Sequence, residues 1–213
     1  MIYLLLTILA GALAYVALVR PWQVRWGATD TEVRKSLPGD EVVPSPSFNA
    51  TRAVTIHAPC EAIWPWIIQI GSGRAGWYSI DWIDNARMPS AEAIMPEFQR
   101  MEVGDFVPMT PDGKNGMWVR DCATGEFMLW HAKGDTSTWL WWLEPVDAHN
   151  TRLITRLRVR YDWTSIWVIY YLLQDVGDIV MMRKSMLGIK RRAEALASHD
   201  HSLDTDTSAT DLG

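Results

Sequence analysis

The residues of this chain best suited to proton chemistry are Asp81, Asp84 and His131, with Tyr78 and Gln69 near the two aspartates in sequence. A carboxylate in contact with an imidazole can divide the roles of general acid and general base. Asp81 and His131 lie far apart in the chain, so any pairing depends on the fold. No signature spacing supports it, and both also suit plain structural places, a helix-surface carboxylate and a strand histidine. Neither a GxSxG elbow nor a Ser-His-Asp arrangement occurs. His199 and His201 flank Asp200 in a polar tail, a weak pattern for metal binding. Cys60 and Cys122 are the only cysteines and lack CxxC spacing, which speaks against a disulfide framework or a zinc site and slightly for a reduced compartment. No metal and no cofactor is expected.

One motif points elsewhere. Gly71-Ser72-Gly73-Arg74-Ala75-Gly76 is a literal GxGxxG behind an apolar run. A dinucleotide site needs those glycines between a strand and a long helix, inside a βαβ unit. Here the segment before them has helical spacing: Ile63, Trp64, Trp66, Ile67 and Ile70 follow Pro59 and Glu61. Pro65 weakens that helix by removing a hydrogen bond. The chain after Gly76 has no βαβ alternation. The glycines are therefore expected to end a helix and form a tight loop, where left-handed backbone is needed.

The elements that must position these residues follow from pattern. Residues 51–59, TRAVTIHAP, alternate as a strand. Trp77, Ile80, Asp81 and Asp84 have the spacing of a short helix, and SAEAIMPEFQRM reads as a second, with Ser90 as N-cap and Pro96 as breaker. VGDFVPM, GMWVRDC, EFMLWHA, STWLWWLEP and NTRLITRLRVRYDW are short, aromatic or β-branched, and separated by turn residues. Connections this brief favour antiparallel hairpins over crossovers. Residues 165–174 are ambiguous. From Asp178, the residues Ile179, Met182, Met186, Ile189, Ala193 and Leu196 share one face of a long amphipathic helix. Burying both apolar faces calls for an α+β fold, a curved sheet wrapped against that helix.

Residues 2–19 carry no charge, and eighteen residues at about 1.5 Å each reach about 27 Å, close to the hydrocarbon thickness of a bilayer. A signal peptide would want a basic start, and there is no Lys or Arg before Arg20. The reading preferred is a single-pass anchor over 1–20. Arg20, Arg25, Arg34 and Lys35 then argue that the rest stays cytoplasmic, and Trp22 and Trp26 suit the interfacial belt. Residues 21–50 read as an extended tether, 51–197 as the folded domain, and 198–213 as a disordered acidic tail. The net charge of −5 owes four units to that tail, so no nucleic-acid footprint is implied.

Thirteen tryptophans are unusual in a chain of this size. Trp139, Trp141 and Trp142 put aromatics on both faces of one strand, so one face must meet a helix, a partner or lipid. Arg152, Arg156, Arg158 and Arg160 line one face of the last strand. They read as a solvated face with acidic neighbours, or as a lure for anionic headgroups.

The stretch ATRAVTIHAPCEAIWPWIIQIG, continued by RAGWYSIDWIDN, VGDFVPM, LEPVDAHNTRLITRLRVRY and MMRKSMLGIKRRAE, resembles the START-like superfamily of polyketide cyclases and lipid-transport proteins (SRPBCC), over about residues 50–197. The resemblance implies a helix-grip fold: a seven-stranded antiparallel sheet curled around a long C-terminal helix, with two small helices after the first strand and an apolar cavity between sheet and helix. The added N-terminal segment argues against a freely diffusing carrier. The reading preferred is a membrane-anchored domain that binds a small hydrophobic molecule or lipid without covalent chemistry. The expected lining is Trp66, Gln69, Trp77, Tyr78, Asp81, Trp82, Trp118, Trp130, Trp141, Leu157, Tyr161, Met182 and Met186. Two alternatives stay open: a cyclase- or hydrolase-type enzyme using polar cavity residues, and a protein-interaction module with a filled core.

Overall fold

The computed structural model describes residues 1–166 and 168–210; the side chains of residues 8, 12, 168–172, 174 and 200–210 lie outside the description. Trp167 and the side chains of Tyr170 and Tyr171, three further aromatic residues of the sequence, lie outside the described part. The chain opens as a helical rod: α1 (Ile2–Ala14), a π turn (Tyr15–Val19) and α2 (Arg20–Gln23). Ile2–Gln23 is the one segment among the described residues long and apolar enough to cross a membrane.

Six strands form one antiparallel sheet in the order β1-β6-β5-β4-β3-β2. They are β1 (Phe48–Ile56), β2 (Phe106–Pro108), β3 (Gly116–Ala123), β4 (Phe127–His131), β5 (Ser137–Asp147) and β6 (Asn150–Val159). The five hairpin-spaced runs read from sequence are all strands, and β1 closes onto β6 with Phe48 opposite Val159. The resemblance implied seven strands; six are observed.

Between β1 and β2 stand α4 (Cys60–Ile68) and α5 (Asp81–Asp84), numbered after α3 (Asp30–Arg34). Pro65 sits inside α4 without ending it. The helix expected from Ser90 does not form. A single 3₁₀ turn, Pro96–Phe98, is the only helical piece there. Ser90 is diverted: its backbone N–H donates to Asp81 Oδ2 at 3.1 Å and its hydroxyl to Asp81 Oδ1 at 2.5 Å. A side chain bonded across a loop is lost as a cap.

The last helix, α6 (Val168–Thr210), packs across the inner face of the sheet. Ile179, Met182, Met186, Ile189 and Ala193 are buried there, as their spacing predicts. The sequence predicts disorder after residue 197, and the described backbone is helical there as far as Thr210. The antiparallel sheet closed by this helix is a helix-grip arrangement, as expected.

The segment read as an extended tether is a folded strap. Thr29 and Glu32 form a capping box at the start of α3: Glu32 N–H donates to Thr29 Oγ1 at 3.2 Å, and Thr29 N–H to Glu32 Oε2 at 2.6 Å. Beyond it Leu37 is buried against Ala53, Leu129, Leu140 and Ile154, which all point away from α6. The sheet is thus covered on both faces. The strap also collects the arginine row. Arg152 donates to Glu32 Oε1 at 2.6 Å, Arg156 to Asp40 Oδ2 at 2.6 Å, and Arg158 to Asp40 Oδ1 at 3.0 Å. Arg156 also reaches the carbonyls of Glu32, Val33 and Lys35. These three arginines therefore hold the strap, and are neither a solvated row nor free to meet headgroups. Arg160 alone of the four is exposed. Trp142, on the outer face of β5, meets the Lys35 ammonium at 5.4 Å from its ring centre.

Candidate functional site

The inner face carries a continuous aromatic cluster. Trp139 and Trp141, two apart on β5, point the same way, and Trp130 on β4 joins them. Ring centroids lie 5.3 Å apart for Trp130–Trp139, 6.1 Å for Trp130–Trp141 and 5.2 Å for Trp139–Trp141. Trp77, from the glycine loop, stacks on Trp139 at 6.0 Å with planes 7° apart. Trp66 from α4, and Met182 and Met186 from α6, complete the interior with Met101, Met117 and Met128. Unbranched thioethers fill irregular gaps and repack readily.

This interior is mainly apolar, with a few indole N–H and hydroxyl groups. Trp139 Nε1 donates to Thr155 Oγ1 at 2.9 Å. The Nε1 atoms of Trp66, Trp130 and Trp141 are buried with no acceptor among the described residues, and the Ser185 hydroxyl on α6 is in the same position. A buried donor without an acceptor costs about 1–3 kcal/mol. Edge-to-face contacts such as Trp130 with Trp139, at 79°, offer ring faces to such donors, a weaker interaction. The rings and thioethers of this cluster pack against one another between sheet and helix. A cleft lies on the strap side, lined by Thr31, Glu32, Arg34, Lys35 and Glu144.

The polar residues expected to orient a ligand are engaged with one another. The glycine motif is a tight loop closed by Gly71 and Gly76, whose N–H groups each donate to the other's carbonyl at 3.1 Å. Gly76 has φ +78°, and a Cβ there would meet Ser90 Oγ at 2.5 Å. This is a helix stop and loop, as its context predicts. It delivers Tyr78 into the interior in a left-handed conformation, φ +56°, that costs a bulky side chain about 1–2 kcal/mol.

Tyr78 and Gln69 form a closed latch. Gln69 Nε2 donates to Tyr78 Oη at 2.9 Å and to the Ala93 carbonyl at 3.2 Å. Gln69 Oε1 accepts from Met95 N–H at 2.9 Å and Gln99 Nε2 at 3.0 Å. All four hydrogen-bonding positions of the amide are thus used. Tyr78 Oη donates to the Trp66 carbonyl at 3.1 Å. Burial drives the Tyr78 phenol far above its usual pKa. The Arg192 guanidinium lies 4.4 Å from the Tyr78 ring centre and donates to the Ala91 carbonyl at 2.8 Å and Glu92 Oε1 at 2.7 Å. Residues 71–99 are pinned in this way to α4 and α6.

Asp81 and His131 are each committed elsewhere. Asp81 holds Ser90, whose Oγ also accepts from the Tyr78 N–H at 3.0 Å. His131 Nδ1 lies 2.7 Å from Asp135 Oδ1. The hydrogen bond from His131, with Arg120 beside it, holds the Asp135 carboxyl below the usual range. No hydrogen bond or ion pair joins Asp81 and His131 among the described residues. The structure thus gathers Trp66, Trp77, Tyr78, Trp130, Trp141, Met182 and Met186 in one cluster, with Gln69 at its edge. Trp82 is instead mostly exposed on α5. Trp118 points away from its buried neighbours Met117 and Val119 and packs on Phe106, centroids 5.0 Å apart. Leu157 and Tyr161 belong to a separate small cluster with Phe48, Ala50 and Val24.

Two buried groups went unread in the sequence. Arg52 on β1 donates to Asp178 Oδ2 at 2.5 Å and to the Gln23 carbonyl at 2.8 Å. Asp175 accepts from Arg20 Nη2 at 3.1 Å and from Gln23 Nε2 through its carboxylate at 3.1 Å, and Gln23 also bonds its carbonyl. The two ion pairs, Arg52–Asp178 and Arg20–Asp175, have no local signal, because each joins residues more than a hundred positions apart.

No protein-family profile matches the chain, and none of the curated proteins compared is similar to it. Solved structures are. A polyketide cyclase-like protein of Corynebacterium glutamicum superposes with a TM-score of 0.46 at 15% identity, covering 72% of this chain and 95% of its own. A conserved protein of unknown function from Enterococcus faecalis gives 0.42 at 12%, covering 79% and 95%. CalC, a self-sacrificing resistance protein of Micromonospora echinospora, gives 0.40 at 10%, covering 71% and 95%. Each likeness is one of fold.

Proposed function

We propose that this chain is a membrane-anchored helix-grip domain that takes a small apolar molecule or lipid, bearing a hydrogen-bond acceptor, between its sheet and α6. The observation that carries this is the set of buried indole N–H groups of Trp66, Trp130 and Trp141 in an otherwise apolar interior. A carbonyl or ether oxygen on an apolar body would satisfy such donors while the rings bury the rest. Room comes from repacking of Met128, Met182 and Met186 and from release of the latch at Tyr78. The reading is of non-covalent binding; the commitment of Asp81 to Ser90 and of His131 to Asp135 supports it. The anchor rests on the length and apolarity of Ile2–Gln23.

A second reading has its own support. An interior in which aromatic rings pack on one another, together with exposed Trp82 and Trp163, fits a module that binds another protein. Native mass spectrometry of the protein extracted in detergent separates the two. A copurifying apolar molecule, lost in Trp130→Phe/Trp141→Phe, supports ligand binding. A bare mass across preparations, with no apolar compound that shifts interior tryptophan fluorescence, leaves the interaction module.

A further inference from the structure

The foot of the N-terminal rod and the start of α6 meet at one point. Arg20, at the end of the apolar stretch, donates to Asp175 through Nη2 at 3.1 Å and Nε at 3.3 Å. Gln23, one turn on, grips the same residue through both its carboxylate and its carbonyl. Tyr161 Oη lies 3.4 Å from Asp175 Oδ2, and Trp163 packs edge-on against Tyr161 with centroids 5.5 Å apart. The rod is therefore fixed to the domain at Asp175, with no free linker between them.

The chain near that joint exposes large apolar side chains. Trp163, Ile166, Leu173, Val176 and Val180 each expose more than half of their side chains. Leu173, Val176 and Val180 are spaced three and four apart, which makes one stripe along α6. Asp175, between the first two, turns the other way and is buried. Arg160, Arg183 and Lys184 are exposed at the borders, the Arg183 guanidinium 5.2 Å from the Trp26 ring centre. Soluble surfaces seldom gather this many large apolar side chains beside one another.

We propose that this end of the domain docks into the surface of the lipid bilayer, with Trp163, Ile166, Leu173, Val176 and Val180 in the interface and Arg160, Arg183 and Lys184 among anionic headgroups. The proposal rests on the reading of Ile2–Gln23 as a membrane span. If the rod crosses the bilayer, Arg20 lies at its boundary, and the Asp175 joint holds this stripe at the same depth. Tryptophan favours that depth, and flanking cations are attracted by anionic lipid. The domain is then a two-point membrane protein, held by a span and by a face, with α6 leading from the bilayer into the aromatic interior.

The test uses the full chain in vesicles of phosphatidylcholine and phosphatidylglycerol, in a Cys60→Ala/Cys122→Ala background. An environment-sensitive fluorophore is placed singly through Leu9→Cys, Ile166→Cys, Val176→Cys, Val180→Cys or Val146→Cys, all exposed positions. Spin-labelled lipids are the quencher. The expected result is loss of most emission at 9, 166, 176 and 180 and none at 146, on the far hairpin. Quenching at 9 alone overturns docking and leaves the span. Quenching nowhere overturns the span and docking together. Protection of 166 and 176 from aqueous iodide without quenching by lipid identifies a protein occupant and also overturns the proposal.

Discussion

Gly188 of α6 lies against the backbone of Tyr78: a Cβ at position 188 would stand 2.4 Å from the Tyr78 carbonyl oxygen and 2.7 Å from its Cβ. Helix propensity alone favours alanine over glycine by about 1 kcal/mol. Contact with backbone that cannot swing aside reverses that sign. Gly188→Ala is expected to lower stability by roughly 1–3 kcal/mol, as over-packing does. Urea unfolding measures it, and a more stable variant would show that the loop is not held where the structure has it.

Within the glycine motif the cost of a methyl group should depend on position. Gly73 has φ +71° with nothing within 4 Å of a Cβ, so Gly73→Ala meets only backbone strain, about 1–2 kcal/mol. Gly76 adds collisions with Ser90 Oγ and with Asn85 Nδ2 at 2.8 Å. Gly76→Ala is expected to unfold at clearly lower urea than Gly73→Ala. Equal effects would count against the packing of Ser90 over this loop.

Removing one oxygen tests the latch. Tyr78→Phe takes an acceptor from Gln69 Nε2 and leaves the Trp66 carbonyl without its donor. The expected loss is about 1–3 kcal/mol. Hydrogen exchange at residues 71–99 should rise while the sheet stays protected. Uniform exchange across the domain would mean that this segment does not open by itself.

The strap has an acid limit. Burial pushes the Glu32 carboxyl upward, but hydrogen bonds from Arg152 and Thr29 outweigh it and hold Glu32 below the usual range. A carboxylate depressed in the folded state stabilises fully above its unfolded pKa, about 4.3. That contribution is lost as pH falls through the folded value. Exchange at residues 29–43 should therefore rise below about pH 4.3. In Glu32→Gln it should already be high at neutral pH, with a smaller acid dependence.

Asp40 joins two arginines to the strap, and Arg156 is buried. Asp40→Asn is expected to cost roughly 1–3 kcal/mol, because it weakens charge-assisted bonds while Arg156 keeps its carbonyl acceptors. The same exchange experiment should show residues 35–43 loosened more than 29–34.

The sheet and its closing helix were legible because their signals are local. Period-two runs from Phe106 to Val159 and the Ile179–Ala193 face state their own geometry. The dismissal of GSGRAG as a nucleotide loop needed only its flanks. The strap was misjudged for a physical reason: its order comes from three arginines on β6, more than a hundred residues away. Only its capping box, Thr29 with Glu32, could be read in place. Trp82 and Trp118 show the same limit for the site. Residue type marks an aromatic as large and apolar, but strand parity and helix length decide which side it faces, and α5 is a single turn. Ser90 is the reverse case, a good cap that the Asp81 carboxylate claimed.

The pairing of β1 with β6 has a consequence for the order in which the protein is made. Phe48 waits for Val159, Glu32 for Arg152, and Arg20 for Asp175. During synthesis the rod and strap leave the ribosome before these charged and strand-pairing partners, which lie in the last third of the chain. Contacts this distant in sequence close slowly. Until α6 is released, the inner faces of six strands and a row of tryptophans have no cover. A nascent chain stalled before residue 175 is therefore an exposed sheet on an unfastened rod, and completion of the C-terminus commits the whole domain at once.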